Sequence, residues 1–182
     1  YGISWYPRPL NFGEASLMKL VRIKFFILLL FQPIAHCGEP FLINESLVLD
    51  ALKNFYHVLD INNYDKEKLQ NIVTDDFLVF EASSKMNIND FHSFLTHKDP
   101  NAEPLVETTW KLSDFRIYIN DNSAHASYMN RGIFQHGTSL RVTINWMESA
   151  LLTNENGKLK IKFLNSNLIS KKVEEFPPQP SS

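Results

Sequence analysis

Between Leu140 and Asn167 the chain alternates apolar and polar residues twice, once on each side of Asn156-Gly157. In steps of two, the first row reads Leu140, Val142, Ile144, Trp146, Glu148, Ala150, Leu152. The other row reads Arg141, Thr143, Asn145, Met147, Ser149, Leu151, Thr153. Successive side chains of a strand point to opposite faces, so this is a long strand with one face buried. Asn and Gly tolerate the positive φ that a tight hairpin turn requires. Beyond the turn, Leu159, Ile161 and Phe163 alternate with Lys160 and Lys162. The stretch therefore predicts an antiparallel hairpin with a mostly apolar face. One residue breaks the rule: Glu148 stands in the row that should be buried.

A chain of 182 residues has room for one domain with a real core. Its 44% hydrophobic and 21% charged content is that of a globular protein rather than a disordered one. The formal net charge is −2 and no basic stripe appears, so nothing electrostatic supports a nucleic-acid partner.

The front of the chain reads as a targeting segment. Met18-Lys19-Leu20-Val21-Arg22-Ile23-Lys24 is a basic start, Phe25 to Phe31 an unbroken apolar run, Gln32-Pro33 a break, and Ala35-His36-Cys37-Gly38 a small-residue region. That is the layout of a secretory signal peptide over 18–37, too short to span a bilayer as a stable helix. The competing reading is a buried core helix, which has no use for cations clustered at one end. Residues 1–17 form an unassigned extension ahead of a plausible start at Met18. Export makes the product secreted or periplasmic. The single cysteine, Cys37, falls at the cleavage region, leaving a mature domain without a disulfide. Cys37 could instead carry a lipid, which alone would make a membrane the partner; Ile34-Ala35-His36 fits that poorly.

In chain order, Asn44 caps a helix from Glu45 to about Ile61, with Val48, Ala51, Leu52, Phe55, Val58 and Leu59 on one side. Asp65 to Val73 reads as a second, short helix, and Phe77 to Ala82 as a strand. Asn87 caps a third helix, Ile88 to Thr96, and His97 to Pro104 is a polar loop. Three long strands follow, Trp110 to Asn120, Ala124 to Phe134 and Leu140 to Thr153, and the last runs from Lys158 to Asn167. The domain spans 38–172, and residues 173–182, rich in proline, form a disordered tail. This order predicts an α+β fold, with three N-terminal helices packed on one face of a strongly curved antiparallel β-sheet. A sheet that curls around its first helix leaves a cone.

Several runs carry a family likeness: Asp75-Asp76-Phe77-Leu78-Val79-Phe80-Glu81, Trp110-Lys111-Leu112, Asn145-Trp146-Met147-Glu148-Ser149-Ala150, and the closing run from Asn156 to Ser166. Over residues 46–170 the chain resembles the NTF2-like (cystatin-like) superfamily, in its SnoaL-like or DUF4440-like branch. The resemblance implies the cone, and a range of activities that includes isomerases, cyclases, dehydratases and plain binding modules. It also implies a homodimer through the outer sheet face, where Ile133, Met147 and Leu151 stand. In the ketosteroid isomerases of that superfamily a tyrosine of the first helix serves the oxyanion; its place here is Phe55, which has no hydroxyl. Their general base falls on Glu81 and their second acid close to Glu148. Related proteins often carry Trp where this chain has Leu159, and His where it has Asn165.

Strand parity gives an independent route to the site. The inner row of the Ala124–Phe134 strand is Ala124, Ala126, Tyr128, Asn130, Gly132, Phe134; on the last strand Leu159, Ile161 and Phe163 continue into Asn165 and Asn167. These rows turn polar toward one end, at Tyr128, Asn130, Glu148 and Asn165, while small Ala124, Ala126 and Gly132 leave room. An apolar cavity with a few convergent polar groups is the expected form of a small-molecule site. The expected lining is Phe55, Tyr128, Asn130, Trp146 and Asn165. Glu148 is either a general acid or base whose pKa burial raises, or a buried carboxyl held by hydrogen bonds that orients a ligand. Glu81 is its helper in the first case. The histidines His57, His92, His97, His125 and His136 lack metal spacing, so no metal and no cofactor is expected. Three readings remain open. The chain binds an apolar small molecule; it is an isomerase-, cyclase- or dehydratase-type enzyme using Glu148 and Glu81; or it is a structural dimer whose cone its own side chains fill.

Overall fold

A computed structural model describes residues 41–100 and 102–177. The extension 1–17, the segment 18–37 and residues 178–182 lie outside the described residues. Helix α1 (Glu45–Leu59) starts where the Asn44 side chain accepts from the Leu47 N–H at 3.0 Å. It buries Val48, Leu52, Phe55, Tyr56, Val58 and Leu59, and ends at Asp60 in extended backbone, two residues short of the expected end. Asp65 caps α2 (Lys66–Ile72). Strand β1 (Val73–Glu81) begins earlier than expected and turns through Ala82 and Ser83, at φ 50° and 63°, into the short β2 (Ser84–Asn87). Asn87 and Asp90 form a capping box on α3 (Ile88–Thr96). Strands β3 (Leu105–Ile119), β4 (Ser123–His136), β5 (Leu140–Glu155) and β6 (Lys158–Glu175) complete the chain. Among the described residues no helix is long and apolar enough to cross a membrane.

The six strands form one sheet in the order β2-β1-β6-β5-β4-β3. The expected antiparallel sheet is in fact mixed, because β1 runs parallel to β6 while the other neighbours are antiparallel. Parallel neighbours need a long crossover, and everything from β2 to β5 lies between these two. The expected tail also changes. Leu140 pairs with Glu175, Arg141 with Glu174 and Val142 with Val173, and the Phe176 N–H donates to the Ser139 carbonyl at 2.7 Å. Residues 173–176 are thus paired along β5, since backbone pairing does not need an apolar pattern.

Two bulges decide what faces the helices. In β6, Leu152 pairs with Ile161 and Leu151 with Phe163, so Lys162 is an extra residue. One extra residue exchanges the two faces of a strand. Leu164 and Ser166 therefore point inward, while Phe163 turns outward against Phe80, ring centroids 5.2 Å apart. In β3, Ser113 pairs with Met129 and Arg116 with Ser127, with Asp114 at φ 56° in the bulge. Phe115 and Ile117 thereby reach the core that Trp110 and Leu112 also flank.

That core holds Val48, Leu52, Phe55, Val73, Phe77, Val79, Leu152, Ile161 and Leu164. Ala124 and Ala126 are buried in it. The room expected beside Gly132 is filled: a Cβ there would lie 2.8 Å from Phe134 and 2.9 Å from Trp146. Glycine here admits two aromatic side chains rather than a cavity.

Candidate functional site

Four neighbouring strands and α1 bring one polar cluster together on the inner face. Register sets Tyr128 opposite Glu148, and Glu148 opposite Ser166. Tyr56 descends from α1 onto the same spot. Glu148 is 3% exposed, so the parity reading of its position holds. Its Oε2 accepts a hydrogen bond from Tyr56 Oη. Its Oε1 accepts from Ser166 Oγ at 2.6 Å and from Asn130 Nδ2 at 3.2 Å. Tyr128 Oη lies 3.1 Å from Tyr56 Oη. Tyr56 has one proton and gives it to Glu148, so Tyr128 is the donor in that pair. Both carboxylate oxygens are occupied, as a buried charge requires.

Glu81, at the end of β1, is half-buried. Ser166 and Trp146 hold its carboxyl down, and the charge of Glu148 pushes it up. Ser166 thus stands between two carboxyls.

Burial pushes the Glu148 carboxyl up from the usual range, against hydrogen bonds from Ser166, Tyr56, Asn130 and Tyr128 that hold it down. Burial also raises Glu81, and the charge of Glu148 adds to that. Burial, then the charge of Glu148, raises both tyrosine hydroxyls. For a carboxyl with a raised native pKa, the folded state binds a proton more tightly than the unfolded chain. Stability is then lost as pH rises from the unfolded carboxylate value, about 4.3, through the raised native one. Unfolding free energy should accordingly increase as pH falls through the raised native value toward the unfolded one. Urea denaturation across that range checks it: the slope should flatten in Glu81→Gln/Glu148→Gln, and an unchanged slope would assign it elsewhere.

The remaining expected lining divides. Tyr128 and Asn130 belong to the cluster, and Trp146 forms its wall with Trp110 and Phe134, at centroid separations of 6.1 and 6.2 Å. Phe55 does not belong to it: it packs in the core against Phe77 and Phe91. The hydroxyl that seemed missing at Phe55 is supplied one residue on, by Tyr56. The signal was present, because Val48, Leu52 and Tyr56 are spaced four apart on the buried side of α1. Asn165 lies opposite Ser149 on the outer face, where the Lys162 bulge puts it; Ser166 takes its place.

Among the described residues two buried polar atoms have no hydrogen-bond partner: Trp110 Nε1, a donor, and Asn130 Oδ1, an acceptor. The inner face also continues past the cluster. Leu168 pairs with Trp146 and Val173 with Val142, and these two are 62% and 52% exposed. A hollow of about 200 Å³ lies on the outer face instead, among Lys111, Ser113, Met129, Arg131 and Asn145. Among the described residues no group of three His, Cys, Asp or Glu side chains is placed to hold a metal ion.

No protein-family model matches the chain, and no curated protein matches it in sequence. Solved structures do match. A hexachlorocyclohexane dehydrochlorinase (LinA type 2) superposes at a TM-score of 0.59 with 12% identity, over 75% of this chain and 94% of that one. An NTF2-like protein from Cytophaga hutchinsonii gives 0.55 and 16%, over 70% and 100%. The CaMKII hub homology domain of Chlamydomonas reinhardtii gives 0.57 and 16%, over 69% and 98%. Three helices on a curved six-stranded sheet, with a polar cluster at one end of the inner face, define an α+β cone. The chain has the NTF2-like fold. At these identities the likeness concerns the fold.

Proposed function

We propose that this domain binds a small apolar molecule on the inner face of its sheet, at the end walled by Trp110, Phe134 and Trp146. The observation that carries this reading is the uncovered apolar face at Leu168 and Val173 leading to a buried polar cluster. Apolar area supplies affinity and the few polar groups supply orientation. Native mass spectrometry of protein purified from its own host tests it, with a co-purified small molecule expected. Protein without such a mass, and without response to small apolar compounds in NMR titration, would overturn the reading.

A second reading, an enzyme of acid–base type, is favoured by one feature: Glu81 is half-buried beside a Glu148 whose oxygens are both committed. The roles given to the two carboxyls by parity then exchange. Glu81 is the group for proton transfer, and Glu148 with Tyr56 and Tyr128 is the anchor. The dehydrochlorinase of this fold removes HCl, chemistry that begins with a base taking a proton. On this reading Glu81→Gln abolishes turnover of a substrate, whereas equal turnover would leave only binding.

Export through the segment 18–37 completes the proposal, as does pairing of two copies through the outer face. There Met147 is 55% exposed, beside half-buried Ile133 and Leu151. Sedimentation showing a monomer at micromolar concentration would count against the pairing.

A further inference from the structure

The geometry points to an oxyanion site in the hollow on the outer face of β3, β4 and β5, one that takes the phosphate or carboxylate group of a small molecule. It stands apart from the inner-face reading above. Register sets Lys111 opposite Arg131 and Arg131 opposite Asn145, so the three side chains form one row across three strands. Side chains directly opposite lie about 5 Å apart at Cβ, and like charges so placed repel. Among the described residues the ion pairs are Lys160–Glu155, Lys162–Asp76 and Lys172–Glu174, so neither Lys111 nor Arg131 has one. Both are exposed and both line the hollow of about 200 Å³, so an ion from solvent reaches them directly. Two cations side by side at a concave surface, with no carboxylate in contact, attract an anion.

The rest of the lining sets the kind of anion. Asn145 gives one amide hydrogen to Ser170 Oγ at 3.0 Å, which leaves its second amide hydrogen to donate. Arg131 offers a planar fork that fits two oxygens of one phosphate or carboxylate, with the Lys111 ammonium as a point charge beside it. A group with several oxygens can serve this row of donors, whereas a halide has one centre. Asp114 works against it. It stands in the β3 bulge at φ 56° on the same hollow, and its carboxylate accepts from Ser113 Oγ at 2.9 Å. It forms an ion pair with neither cation, so it leaves them uncompensated and repels the incoming anion.

NMR titration with inorganic phosphate and with acetate tests this, the ionic strength held constant with sodium chloride. Copies paired over the outer face would cover the hollow, so the protein is diluted until sedimentation shows a monomer. Wild type should bind phosphate with a Kd of about 1 mM, the strength of a few solvent-exposed charge-assisted hydrogen bonds. The Arg131 Nε–H and the Asn145 side-chain amide signals should move together. Either ranking of phosphate and acetate supports the site and names the group it takes. Lys111→Gln and Arg131→Gln should each weaken phosphate binding about fivefold, and Asp114→Asn should tighten it about threefold. Equal shifts in wild type and in Lys111→Gln/Arg131→Gln would reveal a general salt effect and overturn the inference. Absence of any shift would do the same. Should the double variant fail to fold, Asp114→Asn decides, and an unchanged affinity there overturns the inference. The inner-face reading is untouched by every one of these results.

Discussion

Glu148→Leu should lower the unfolding free energy by about 2 to 6 kcal/mol, because two fully buried donors each lose their acceptor at about 1–3 kcal/mol. Those donors are Tyr56 Oη and Asn130 Nδ2. Ser166 is only half-buried and can turn to water, so it adds less. Leucine fills the volume, which keeps a cavity term out of the measurement. Glu148→Gln is the control. With its oxygen in the Oε2 position it still accepts from Tyr56, and its Nε2 in the Oε1 position donates to Ser166 Oγ and to an Asn130 whose amide reverses to present Oδ1. The glutamine variant should therefore lose about 1 kcal/mol, close to the net value of one hydrogen bond. Urea denaturation of both separates the cases. Equal losses would mean that shape, not acceptance of hydrogen bonds, is what Glu148 provides.

The second large effect belongs to a residue outside the cluster. Phe55→Ala should cost about 3–5 kcal/mol, the range for truncating a fully buried phenylalanine. Phe55 is 0% exposed and lies against the rings of Tyr56, Phe77 and Phe91, at 5.3, 6.4 and 6.4 Å. Tyr56→Phe makes the instructive comparison. It keeps the ring and removes the donor to Glu148, and it leaves Tyr128 without its hydroxyl partner. Phe55→Ala should shift the denaturation midpoint while the fraction still folded keeps its affinity for small apolar compounds. Lost affinity in that folded fraction would return Phe55 to the ligand-binding group. Tyr56→Phe should instead alter the pH slope, since the hydroxyl that holds the Glu148 carboxyl down is gone.

Much of the fold was legible because alternation and capping are local. Asn44 and Asn87 mark two helix starts, and Asn156 at φ 54° with Gly157 at φ 80° makes the turn between β5 and β6. The buried row Trp146, Glu148, Ala150, Leu152 follows from β5 itself. Glu148 could be found from one strand alone, since a carboxylate in an apolar row is an anomaly that needs no partner to be visible. Its donors are legible only in part: Tyr128 and Asn130 share the parity of β4, whereas unbroken alternation along β6 puts Asn165 rather than Ser166 on the inner face, and helix spacing alone does not bring Tyr56 to the acid.

The missed residues share a cause. Ser166 replaces Asn165 because Lys162 bulges, and nothing in Lys160-Ile161-Lys162-Phe163 marks where an extra residue enters; the pairing with β5 decides it. Tyr56 was visible on the apolar side of α1, but the depth to which α1 sinks toward Glu148 comes from how helix and sheet pack. The parallel seating of β1 against β6, and the pairing of 173–176 along β5, are likewise contacts between segments far apart in the chain. Local periodicity and turn chemistry by themselves determined the helices, most of the strands, the apolar face and its misplaced acid. Register, bulges and the descent of α1 decided which side chains meet that acid, because a hydrogen bond needs both partners in one place and a pattern along the chain describes only one of them.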